Sequence, residues 1–281
     1  VLNHLYQLNN ATIFFLMIVV TTFFSLFFIV SARIFGLFHL KYRDNSATAS
    51  IASMIGIIYA LLTGVLCLYL LNNQDHATEA ALSEGTAVAT IYRESKWLKA
   101  PTQQHIQKNL RVYINNVLER EWPAMAGGQD IHNPQSATFL IEAMSNALML
   151  YPINTQADAV IVDNLLQSFR NLFKARQERI SMTSAQLSDE IWFVIFLSTA
   201  LIIFINYTFR LEFKLHLLSI TAISIMAASV LFLLVTLDRP FQGEFTIEPK
   251  ALRAVLMLMD QEAKLSAMQN SNKQLSLQGA E

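Results

Sequence analysis

Charge is what this sequence most lacks. Only 15% of its 281 residues are Asp, Glu, Lys or Arg, against about a quarter in an ordinary soluble domain, and 53% are apolar. The deficit is concentrated in four runs. Leu2 to Ala32 holds no charge except a possible one at His4, and Asn45 to Gln74, Ile191 to Phe209 and Leu217 to Leu237 hold none. Each run is long enough to cross ~30 Å of hydrocarbon at ~1.5 Å per helical residue. Core helices of soluble proteins seldom run so far without a charge, so four membrane-spanning helices are expected. The first run lacks the basic start and small-residue cleavage pattern of a signal peptide and reads as a retained helix.

Other absences narrow the function. Cys67 is the single cysteine and lies inside the second apolar run, so no disulfide forms within the chain, and a small packing residue is the simplest reading of it. A net charge of −1 gives no electrostatic footprint for nucleic acid. The six histidines are scattered without metal-ligand spacing. There is no Gly-rich phosphate loop and no nucleophile elbow, so no enzymatic activity is expected. The spans carry no ionised group of the kind that a pump or proton relay needs. Glu119 and Glu121 stand two apart on a helical pattern, which directs them to different faces and makes them a solvated surface. Asp130 and His132 fall close together in a loop without completing a metal site.

Between the second and third runs the composition is ordinary and the periodicity helical. Ile106, Leu110, Tyr113 and Val117 recur at helical spacing after the Pro101–Thr102 start signal. A break follows at Pro123 and the Gly127–Gly128 pair. Phe139, Leu140, Met144 and Leu148 mark the next helix, and Ile161, Leu165, Phe169 and Leu172 another. Neither Gly nor Pro occurs from Ile153 to Arg239, which predicts one long helix entering the membrane near Glu190. Beyond the fourth run, Leu252, Val255, Leu256, Met259 and Ala263 share one face of an amphipathic helix begun at Pro249, expected to dock on its own domain. The Gln-, Asn- and Ser-rich segment after Ala267 reads as a mobile tail. The expected division is residues 1–72 for two spans, 73–188 for a helical water-facing domain, 189–238 for two further spans, and 239–281 for a link, a helix and a tail.

Two constellations stand out. In the second run Ala52, Gly56, Ala60 and Gly64 place small side chains at every fourth residue, a strip that lets another helix approach closely. Beside it lie Ile51, Ile55 and Tyr59, bulky groups that would face a common axis in a ring of identical subunits and gate it by dewetting. From spacing alone, packing within one chain is the simpler reading of the strip. After the fourth run, Asp238, Arg239 and Pro240 mark a solvent boundary: a cation favours the helix C-terminus and proline ends the helix. A tie between Asp238 of one subunit and Arg239 of the next is a further reading.

The stretches LDRPFQGEF (Leu237 to Phe245), YRESKWLKAP (Tyr92 to Pro101) and EREWPAM (Glu119 to Met125), in this order around the apolar runs, resemble a bacterial membrane family described as bestrophin-like. The resemblance covers about Ile51 to Asp260. Bestrophins proper are pentameric anion channels of four membrane helices with a large helical cytosolic domain, and they carry Asn-Pro-Phe-Gly and an acidic run after the fourth helix. Pro240, Phe241 and Gly243 resemble that turn, but Arg239 replaces the asparagine, Gln242 is inserted and only Glu244 and Glu248 follow, so no metal or cofactor is expected there.

The resemblance implies that Ile51, Ile55 and Tyr59 form the pore neck. It also implies a homo-oligomer, a pentamer as in bestrophins, in the bacterial inner membrane with the domain in the cytosol, although the positive-inside count is nearly balanced and the first hairpin alone puts the domain outside. The expectation is an all-α integral membrane protein: four transmembrane helices, a helical water-facing domain inserted between the second and third, and chloride conduction through an apolar neck. The rival is a non-conducting envelope or signalling protein that relays a signal through its domain.

Overall fold

The computed structural model describes residues 9–34, 45–129, 135–209, 211–243 and 246–278, and among them every regular element is helical. Asp130, His132 and Glu244, all used in reading the sequence, lie outside the described residues. Two compact units divide the chain: Val1–Asp75 with Ser184–Thr246, and His76–Thr183 with Ile247–Glu281. Helix α2 (Asn45–Ser95) contributes its first part to one and its second part to the other.

The first unit holds the four apolar runs as helices: α1 (Asn10–Ile34), the start of α2, α7 (Asp189–Tyr207) and α8 (Phe213–Leu237). All four have the length and apolar composition of membrane spans. In hydrocarbon a backbone must satisfy its own hydrogen bonds, which a helix does within the segment. Helix α1 packs along α8. Ser25 and Ser224 meet there through a 2.9 Å hydroxyl contact, with Ala227 and Ala228 fully buried beside them, the small-residue packing that membrane helices use in place of a hydrophobic drive. Tyr207 donates its hydroxyl to the Ser25 carbonyl at 2.8 Å, joining α7 to α1. An apolar cluster of Leu70, Leu187, Trp192, Ile195, Leu231, Leu234 and Val235 holds α2, α7 and α8 together.

The second unit combines the rest of α2 with α3 (Thr102–Asn116), a π-helical turn (Val117–Glu121), α4 (Trp122–Ala126), α5 (Gln135–Met149), α6 (Gln156–Ser181) and α9 (Lys250–Gln278). Ile106, Leu110, Tyr113 and Val117 are all fully buried, as their spacing predicts. Helix α6 starts in a capping box, where Thr155 accepts from the Asp158 amide at 3.1 Å and Asp158 accepts from the Thr155 amide at 2.9 Å. Helix α9 seats Leu252, Val255 and Met259 in the core of this unit, while Ala263 is exposed. Gly85 of α2 makes that docking possible: a Cβ there would stand 2.3 Å from the Ala251 Cβ.

Three features differ from the sequence reading. The single long helix is two helices: α6 ends at Ser181, a 3₁₀ turn covers Met182–Ser184, and α7 begins at Asp189 after an extended Ser188. The break is tertiary in origin, because the Leu187 amide donates to Asp238 Oδ1 at 2.8 Å and the Leu187 side chain enters the apolar cluster. Local propensity does not hold against a buried polar contact and a packed leucine. In α5 the buried face is Ala137, Ile141, Met144 and Leu148, and Phe139 is exposed. Helical backbone also continues through the Gln-, Asn- and Ser-rich segment to Gln278.

Candidate functional site

Within the apolar half of α2, one side meets the chain and the other does not. Tyr59, Thr63 and Leu70 are buried, whereas Ile51, Met54, Ile58 and Leu61 are 51–69% exposed. The expected neck residues divide between these sides. Ile51 is on the open side, Ile55 is half-buried, and Tyr59 is 3% exposed with its hydroxyl 3.5 Å from Thr199 Oγ1 of α7. The small strip is partly open: Ala60 and Gly64 are exposed, Ala52 and Gly56 half-buried, and among the described residues a Cβ at either glycine would meet nothing within 4 Å. This face can receive another helix at close range or lie against lipid.

The turn after α8 is a built feature of the first unit. Asp238, 3% exposed, is the C-cap of α8 and its carboxylate holds the Leu187 amide in the chain's own fold. Arg239 reaches Gln242 Oε1 at 3.1 Å. Pro240 and Phe241 are buried, and the Phe241 carbonyl accepts from Thr246 Oγ1 at 2.8 Å. Gly243 has φ +80, in the left-handed region that side chains disfavour. Asp238 therefore has a structural partner within its own chain.

The second unit contains a site that the sequence reading missed. Glu84 from α2, Tyr113 from α3, Glu121 from the π-helical turn, and Arg176 and Arg179 from α6 come together, none more than 3% exposed. Arg179 donates to Glu84 through Nε and Nη2, to Glu121 Oε2 at 2.7 Å, and to the Met125 sulfur at 2.9 Å, with its guanidinium 5.1 Å from the Trp122 ring centre. Arg176 grips Glu121 with two contacts of 2.8 Å, and the Tyr113 hydroxyl donates to Glu84 at 2.5 Å. Two guanidinium and two carboxylate charges balance, as buried charge requires. Burial, then the charge of Glu84, holds the Tyr113 hydroxyl well above the usual tyrosine range. Burial pulls the Arg179 pKa down, but the attraction and hydrogen bonds of Glu84, with Tyr113 and Glu121, outweigh it and the net shift is upward.

Glu121 thus corrects the solvated-face reading: Glu119 is exposed, but Glu121 is buried between two arginines. The helix phase is the physical reason: Glu121 stands four residues after Val117 and so continues the buried stripe of Ile106, Leu110, Tyr113 and Val117, and the π-helical turn adds Trp122 to the same side. A signal was present in the sequence. Glu84 is in phase with the buried Ala77, Ala80, Val88 and Ile91, and Arg176 and Arg179 continue the buried stripe of Val162, Leu165, Phe169 and Leu172. Among the described residues no group of three or more His, Cys, Asp or Glu is placed to hold a metal ion.

The family model described as a Bestrophin-like domain matches residues 18–252. Among solved structures, the chain is similar to a bacterial bestrophin homologue from Klebsiella pneumoniae carrying an I180T mutation, with TM-score 0.66 and 11% identity over 87% of this chain and 98% of that one. It is also similar to a protein described as a membrane protein P143A, with TM-score 0.64 and 10% identity over 87% of this chain and 96% of that one. No curated protein matches the chain.

Proposed function

From the premise that this chain belongs to the bestrophin-like family, we propose that it is one subunit of a homo-oligomeric anion channel in the bacterial inner membrane, its pore lined by α2. The family likeness supports a channel-type membrane protein with four spans and without enzymatic activity; a pentamer and chloride as the permeant ion come from the resemblance to bestrophins proper. The observation that carries the reading is the open face of α2. Membrane helices exclude lipid from small-residue strips by packing another helix on them, and Gly56 and Gly64 have no such neighbour among the described residues.

The constriction belongs to Ile51 and Ile55, one helical turn apart and free of charge, where an apolar ring can gate by dewetting. Tyr59, the third expected neck residue, is assigned a supporting part: its buried ring and its contact with Thr199 brace α2 against α7 behind the constriction. Asp238, Arg239, Pro240, Phe241 and Gly243 form the turn that fixes the end of α8.

Purified protein in mild detergent is expected to run as an oligomer, and reconstituted liposomes to pass chloride. Ile55→Ala should raise the flux by widening the ring, and Gly56→Leu with Gly64→Leu should reduce the oligomer to smaller species. A monomeric wild type removes the shared axis and with it the proposal. An intact oligomer without flux points instead to the non-conducting envelope or signalling role.

A further inference from the structure

We propose that the second unit carries a binding site for a small organic or inorganic anion bearing phosphate or carboxylate groups, in the cavity where α9 meets α2 and α3. The cavity has a volume of about 670 Å³, within the ~300–1,000 Å³ range of small-molecule sites. Its wall concentrates donors: Lys96, Lys108 and Arg111, the amides of Gln103 and Gln107, and the Tyr92 hydroxyl, against one lining carboxylate, Glu262.

Glu262 shows which chemistry the donors accept. Its two oxygens take Lys96 Nζ at 2.6 and 2.7 Å and the Tyr92 hydroxyl at 2.7 Å. Arg111 pairs with Asp260, two residues before Glu262 on α9. The α9 carboxylates therefore act as internal occupants of a site built for an oxyanion. Charge remains over: three cations face Glu262 and Asp260, and Lys108 has no acidic partner among the described residues. A diffusible anion with two charged groups can engage Lys108 together with Lys96 and Arg111, which no single α9 side chain does. Both ion pairs are 38–49% exposed, so each is weakly held and open to exchange with a ligand. The donors on Glu262 depress its pKa, through Lys96 first and then Tyr92. The cavity lies wholly in the second unit, so it stands apart from the conduction reading.

The test is calorimetric titration of the full-length protein in detergent with inorganic pyrophosphate. One saturable site per chain is expected. Lys96→Gln and Arg111→Gln should each weaken it about tenfold or more, and Lys108→Gln severalfold. Glu262→Gln removes the internal competitor and should tighten binding severalfold. Lys174→Gln, a surface change on α6, should leave it unaltered. Absence of saturable binding in both the wild type and Glu262→Gln overturns the proposal. So does binding that the three neutralising changes leave unaltered, or that Glu262→Gln fails to tighten.

Discussion

Replacing Arg179 by Met keeps an unbranched apolar stem in place and removes the guanidinium at the centre of the buried cluster. Glu84, fully buried, then keeps only the Tyr113 hydroxyl as a donor, while Glu121 still has Arg176. An unpaired charge left in a protein interior costs about 3–5 kcal/mol. For a unit of this size each kcal/mol corresponds to a few degrees of Tm, so the drop should be roughly 10 °C or more. Arg176→Met should cost less, because Glu121 retains its 2.7 Å contact with Arg179. The double change Arg179→Met with Glu84→Leu should recover much of the loss, since removing both charges also removes their desolvation cost. Thermal unfolding of the full-length protein in detergent, followed by intrinsic fluorescence, suits the purpose because Trp122 lies beside Arg179. An Arg179→Met protein with an unchanged Tm, or a double variant whose loss equals the sum of the single losses, would refute the assignment of Arg179 as the partner of Glu84.

Two further outcomes test the packing. Gly85→Ala gains helix propensity of up to about 1 kcal/mol but drives a Cβ to 2.3 Å from that of Ala251, an overlap costing about 1–3 kcal/mol. Overlap wins, so faster hydrogen exchange along α9 is expected, partly reversed by Ala251→Gly; slower exchange in Gly85→Ala would show that the close approach is not made. Asp238→Ala orphans the buried Leu187 amide at a cost of about 1–3 kcal/mol, whereas Asp238→Asn keeps an acceptor and most of the stability. Equal Tm losses in the two variants would show that the amide contact does not matter.

The comparison between sequence and structure turns on particular residues. Charge-free runs specified α1, α7, α8 and the apolar half of α2, because hydrocarbon tolerates neither ions nor open backbone groups. The stripe Ile106, Leu110, Tyr113 and Val117 specified α3 and its buried face for an equally local reason: periodicity alone sets which side turns inward. The break at 185–188 was not legible, since it depends on Asp238, more than fifty positions away in sequence and 2.8 Å away in space. Glu121 was in phase with that stripe, four residues after Val117, but its burial was not legible because it depends on Arg176 and Arg179 of a distant helix meeting its charge.

The open side of α2 shows the same division from the other direction. Spacing placed Ile51, Ile55 and Tyr59 on one strip, but only the arrangement of α7 showed that Tyr59 is covered and Ile51 is not. Sequence by itself determined the solvent of each segment and the helical phase, because both are properties of neighbouring residues. Tertiary structure alone decided which charges are buried against each other and which apolar faces remain open, because those depend on distant segments meeting and no local pattern encodes the encounter.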